Sequence, residues 1–175
     1  MIELKRIIPE CNADSMLAEL ILQRGKPRHC KGISKVLRDL EKDYATNFVI
    51  GIIDTDKFKR ENLYPYLQKF KVIEDKMKPE GLLILNIPET NKYIVRLNPG
   101  FERWIWRLST ECNLNPADSE YGFNSIEDLK SAAKQNELVE NENLKKFVNK
   151  IVSLNPPPIQ TLRKWLEKVF VNNSN

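Results

Sequence analysis

The chain carries one histidine, His29, and three cysteines, Cys11, Cys30 and Cys112, in 175 residues. Cysteines so few and so scattered exclude a disulfide framework, and with one histidine beside them they exclude a zinc ribbon as well. They read as reduced thiols. A Ser-His-Asp or Cys-His catalytic constellation has no support either, because His29 would have to serve it alone. No apolar run approaches the roughly 18 residues that span a bilayer, so no membrane association is expected. The opening residues Met-Ile-Glu-Leu-Lys-Arg lack the apolar core of a secretory signal. A cytoplasmic protein is the expectation. Internal repeats and low-complexity tracts are also missing.

What remains is the composition of a globular chain, with 41% apolar and 30% charged residues. The length suits one domain, or a domain with a helical annex, and allows a sizeable core. A net charge of +4 permits a polyanionic partner without requiring one. Its placement says more than its size. Arg24, Lys26, Arg28, His29 and Lys31 fall in one short segment, and Lys57, Lys59 and Arg60 crowd together further on.

The stretch with the strongest signal is Phe48 to Lys57, Phe-Val-Ile-Gly-Ile-Ile-Asp-Thr-Asp-Lys. Its first six residues are apolar or Gly and rich in β-branched side chains, the composition of a strand buried on both faces of a parallel sheet. This predicts the central strand. Ligand sites in open α/β sheets form beyond the carboxyl ends of such strands, and this end carries Asp54 and Asp56. Carboxylates at i and i+2 on an extended strand point the same way, and two of them beside lysines suit the oxygen-ligand demand of Mg²⁺. Asp-Thr-Asp is also ordinary turn chemistry, and the motif alone leaves both readings open.

Around this strand the pattern alternates. Leu4 to Pro9 reads as a first strand with Glu10 at its carboxyl end, followed by capping residues Cys11 to Asp14 and a helix over Met16 to Arg24. Asp14 is a helix cap or an extra ligand. Lys26 to Lys31 is an edge strand or a loop, since Pro27 argues against a central position. Ile33, Val36, Leu37, Leu40 and Tyr44 have the spacing of an amphipathic helix that leads into the Phe48 strand, which is then third in order. Asn62 to Phe70 reads as a short helix, Val72-Ile73 as a brief strand, Gly81 to Ile87 as a buried strand, and Tyr93 to Leu97 as an edge strand.

Beyond Phe101 the chain turns to helices. Phe101, Trp104, Ile105 and Leu108 share a face, Ser125 and Asp128 form a capping box, and the stripes Leu144 to Ile151 and Leu162 to Val169 follow. Trp104 belongs to the core, while Trp106 with Arg103 and Arg107 offers a partner surface. The expected fold is α/β, a mostly parallel sheet of about four strands flanked by helices over residues 1–98, with a helical C-terminal extension over 99–175 packed on it.

If the first and Phe48 strands are parallel neighbours, Glu10, Asp54 and Asp56 reach one rim, where three carboxylates need a cation between them. In these residues, Ile7-Ile8-Pro9-Glu10 and Ile52-Ile53-Asp54-Thr55-Asp56, the chain resembles the topoisomerase–primase (TOPRIM) family. That family has a Glu after its first strand and an Asp-x-Asp after its third, with two helices between. The resemblance covers roughly Leu4 to Ile87 and departs from the family at Cys11, where the family has Gly, and at Pro9. It implies that Glu10, Asp54 and Asp56 hold Mg²⁺ or Mn²⁺. It further implies that Glu10 works as ligand or general acid/base and that Lys57 offsets phosphate charge. Arg24, Lys26, Arg28 and Lys31, with Lys59 and Arg60, would contact a DNA or RNA backbone, the other reading of the Arg24 to Lys31 segment being a solvated charged loop.

The implied activity is metal-dependent phosphodiester cleavage by a small nuclease. One alternative is a non-catalytic TOPRIM-like module that binds nucleic acid or a protein partner in a larger system. A weaker one is a haloacid-dehalogenase-like phosphatase, in which Asp54 would be nucleophile and Asp56 the acid.

Overall fold

The computed structural model describes residues 4–25, 27, 30–42, 48–55, 64–134 and 141–171. After a short 3-10 turn, strand β1 (Ile7–Pro9) leads through helix α1 (Asn12–Leu22) and helix α2 (Ile33–Lys42) to β2 (Val49–Asp54). A 3-10 turn (Pro65–Lys69) precedes β3 (Lys71–Lys76). The one-turn helix α3 (Met77–Glu80), β4 (Leu82–Asn86) and β5 (Lys92–Leu97) follow. Helices α4 (Phe101–Glu111), α5 (Ile126–Lys134), α6 (Glu142–Leu154) and α7 (Pro157–Val171) complete the described chain. None of the described helices is long and apolar enough to cross a membrane.

The five described strands form one mixed sheet in the order β1-β2-β5-β4-β3. β1 pairs with β2 and β2 with β5 in parallel, whereas β4 runs antiparallel to both β5 and β3. The protein is therefore α/β, as the alternation of elements indicates, but the sheet is mixed and five-stranded rather than mostly parallel with about four strands. The cause is the connection between β3 and β4. A single helical turn closed by Gly81 is too short for a parallel crossover, so it makes an antiparallel pair.

Two strand positions also differ from expectation. The Phe48 strand is second in the chain and second in the sheet, and Tyr93–Leu97, expected at the edge, is the middle strand. The described residues of the Lys26–Lys31 segment form no strand. Its end nonetheless clasps β1, with the Cys30 N–H donating to the Pro9 carbonyl at 3.0 Å and the Gly32 N–H to the Glu10 carbonyl at 3.0 Å.

Period-two alternation divides the core between the two sheet faces. On one face Ile7, Ile50, Ile52, Leu82, Ile84, Val95 and Leu97 pack with apolar residues of α1 and α4 to α7. On the other, Ile8, Val49, Ile53, Leu83, Leu85 and Ile94 pack with α2 and with Leu67 and Phe70. α2 crosses β2 closely at Gly51, where a Cβ would lie 2.8 Å from Val36 Cγ1 and 3.1 Å from Leu40 Cδ1. Only glycine fits that contact. The helices beyond residue 98 share the first of these cores with β1, β2 and α1, which is what ties them to the sheet.

Candidate functional site

The parallel half of the sheet brings Glu10 and Asp54 together. The register sets Pro9 beside Ile52, so the two carboxylates leave adjacent strands at the same rim. The Glu10 N–H donates to the Ile52 carbonyl at 2.9 Å, extending the ladder by one residue. In return the Asp54 N–H donates to Glu10 Oε2 at 3.2 Å. Glu10 is 1% exposed and Asp54 7% exposed, so both charges are taken out of bulk water and depend on such contacts.

Asp54 has a second tie. Its Oδ1 accepts the N–H of Phe101 at 3.0 Å. Phe101 is the first residue of α4, and Gly100 before it holds φ 155°, a conformation that side chains other than glycine resist. The Asp54 carboxylate thus satisfies an otherwise open amide at the positive end of the α4 dipole. Next to it, Thr55 donates from its N–H to the Leu97 carbonyl at 2.9 Å and from Oγ1 to Asn98 Oδ1 at 2.8 Å. These bonds lash the end of β2 to the loop that enters α4.

Cys11 and Asp14 follow Glu10 at the start of α1. Cys11, rather than Asp14, is the N-cap of α1, its sulfur accepting the Asp14 N–H at 3.5 Å and its thiol donating to Asp14 Oδ2 at 3.1 Å. Asp14 sits fully buried in the first turn, where the helix dipole favours an anion. Burial, followed by the negative charges of Asp14 and Asp54, pushes the Cys11 thiol far above its ordinary range. It stays protonated and is no nucleophile.

Of the other sequence-predicted residues, Arg24 lies 5.1 Å above the Phe170 ring of α7 and Lys31 is exposed. Asp56, Lys57, Lys59, Arg60, Lys26, Arg28 and His29 lie outside the described residues. Trp104 is fully buried, as expected, with its indole N–H on the Glu80 carbonyl at 2.8 Å. Trp106 packs partly on the core, and Arg107 pairs with Glu111 at 3.2 Å, which leaves Arg103 as the exposed member of that group.

Among the described residues no set of three His, Cys, Asp or Glu side chains is arranged to hold a metal ion. Glu10 and Asp54 supply two hard oxygen donors, and Asp56, third in the predicted set, is not described. A donor set of carboxylates without histidine or thiolate fits Mg²⁺ or Mn²⁺ rather than a softer metal. Reasoning from sequence missed the amide of Phe101 as a partner for Asp54. Its one local signal was Pro99-Gly100 ahead of an apolar helical stripe.

Fold and site define a class: an α/β protein with a mixed open sheet and a buried carboxylate pair at the carboxyl ends of its parallel strands. The chain matches no family model, and no curated protein or solved structure compared with it is significantly similar.

Proposed function

We propose that this chain is a magnesium-dependent phosphodiester-handling protein that acts on nucleic acid in the cytoplasm, a small nuclease of TOPRIM type. The observation that carries the reading is the approach of Glu10 to Asp54 across two parallel strands, with the Glu10 carboxylate 3.2 Å from the Asp54 amide nitrogen. Two helices between these strands also agree with the family pattern, α1 and α2. Asp54 ends the second of the described strands rather than a third, and the described residues of the segment between the helices clasp β1.

In this reading Glu10, Asp54 and Asp56 hold Mg²⁺ or Mn²⁺, which when bound supplies Lewis-acid activation of a phosphoryl oxygen and of the attacking water. Asp54 is kept in its rotamer by the Phe101 amide, so its position does not depend on the ion. Glu10 takes a proton from the water or returns one to the leaving oxygen. Lys57, with Lys59 and Arg60, offsets phosphate charge, and Lys26, Arg28 and Lys31 track the backbone. Arg24 is better read as a packing residue of α7, given its place over Phe170.

Asp54→Asn tests this directly, because the amide oxygen still accepts the Phe101 N–H while the charge is gone. Calorimetric titration with MgCl₂ and MnCl₂ is expected to show ion binding in the wild type and none in the variant. Cleavage of labelled DNA or RNA should fall by at least about 100-fold. Undiminished cleavage by Asp54→Asn overturns the assignment.

A second reading, a non-catalytic binding module of the same fold, is favoured by the duties both carboxylates already perform toward backbone amides. Absence of ion binding and cleavage in the wild type would select it.

A further inference from the structure

We propose that the outer edge of β3 docks an extended segment of a partner protein, acidic and apolar in alternation, which adds a sixth strand to the sheet. β3 pairs with β4 on one side, and among the described residues no strand pairs on the other. Such an edge presents a row of backbone donors and acceptors, the template for strand addition. The ladder shifts register between Val72 and Glu74, which leaves Ile73 as the extra residue of a bulge. Val72 is 54% and Ile73 49% exposed, two adjacent apolar side chains on this edge strand. An incoming strand would cover both.

The charge around this edge names the partner's chemistry. Lys69, Lys71 and Lys78 are exposed along it. α7 flanks it, anchored by the Trp165 Nε1–H on Glu74 Oε2 at 2.8 Å, and brings exposed Lys164 and, over the Trp165 ring at 3.3 Å, Lys168. Lys76 bridges Glu74 and Glu80, at 3.4 and 3.0 Å, and offsets one of the two charges, so six lysines stand against the four carboxylates Glu74, Asp75, Glu80 and Glu167 and the balance stays positive. A second copy of the chain would set this lysine-lined edge against itself, the arrangement by which natural edges avoid self-pairing. Nucleic acid would satisfy the lysines yet leave Val72, Ile73 and the ladder edge unused. A peptide with acidic residues between apolar ones satisfies all three. This surface is independent of the carboxylate pocket at the parallel half of the sheet.

The probe is a capped, fluorescein-labelled peptide alternating valine and glutamate, titrated with the full chain by fluorescence anisotropy beside a valine–lysine counterpart. The glutamate peptide is expected to bind at least about tenfold more tightly. Its affinity should weaken as salt rises through about 0.15 M. The Lys71→Glu/Lys78→Glu variant should invert the preference, and Ile73→Pro should abolish binding of both peptides.

Equal binding of the two peptides, or none, overturns the proposal. So does concentration-dependent dimerisation in sedimentation velocity that Ile73→Pro dissolves, which would make a second copy the occupant. Retention of a labelled oligonucleotide lost in Lys71→Glu/Lys78→Glu, with the glutamate peptide unaffected, would assign the surface to nucleic acid. If Ile73→Pro proves unfolded by circular dichroism, the charge-inversion variant decides alone, since both of its substitutions are at exposed side chains.

Discussion

β2 and β3 are strands of equal length in one sheet, six residues each, yet β2 is buried at every position and β3 at none. The difference lies in their neighbours as much as in their residues. β2, Val-Ile-Gly-Ile-Ile-Asp, has a parallel strand on either side and a helical layer on both faces. β3, Lys-Val-Ile-Glu-Asp-Lys, has one neighbour among the described strands, a bulge, and exposed lysines beside it. The contrast teaches where this fold keeps its rigidity and where it keeps its options. The parallel half holds charged groups in fixed positions because everything around them is packed. The antiparallel half is held by β4 and α7, and among the described residues no strand pairs with its outer edge.

The largest way to break the contrast is a cavity in β2. Ile52 is fully buried, and Ile52→Ala is expected to cost about 2–5 kcal/mol in chemical denaturation, against a negligible cost for the same change at Ile73. Next is the anchor that supports β3 from behind. Trp165→Phe deletes the N–H bonded to Glu74, whose side chain is 27% exposed, together with part of a buried indole. A loss of at least about 1 kcal/mol is expected, and the share carried by the bond's charge is the amount by which the loss shrinks in a Glu74→Gln background.

Ile73→Thr, at an exposed edge position, should shift stability by no more than about 0.5 kcal/mol, and a larger loss would mean that the edge is covered in solution.

A further effect is a pH dependence on the α2 side. Burial, then the Glu41 carboxylate, pushes the Tyr66 hydroxyl up to about 12 from its ordinary 10. The folded state therefore favours the neutral phenol. Its contribution is intact below pH 10 and is lost as pH rises from 10 to 12, so stability should decline across that window. Ultraviolet titration of Tyr66→Phe against wild type isolates the group, and a decline of the same size in both excludes it.

The meeting of Glu10 and Asp54 was legible because its signals are local. A β-branched run that ends in a carboxylate announces a buried strand, and a Glu after the preceding strand follows from the same βα pattern. The capping box at α5 was equally plain, and the Ser125 and Asp128 side chains each bond the other's backbone amide, at 3.2 and 3.0 Å. Strand order was not legible. β5 carries Lys92, Tyr93 and Arg96, which read as edge residues, yet it lies in the middle. Its long side chains run out along their apolar parts. Tyr93 stacks on Phe48 at 4.4 Å, and Lys92 Nζ reaches the Glu41 carbonyl at 3.2 Å.

The sequence by itself determined which segments are strands and helices, which of their faces are apolar, and that carboxylates stand at two strand ends. Each of these rests on spacing along a few consecutive residues. Only the tertiary structure decided that β5 is central, that Asp54 caps α4 and that, among the described residues, no strand pairs with the outer edge of β3. Asp54 meets Phe101 47 positions further on and Glu74 meets Trp165 91 positions further on, and no local pattern encodes a partner that distant.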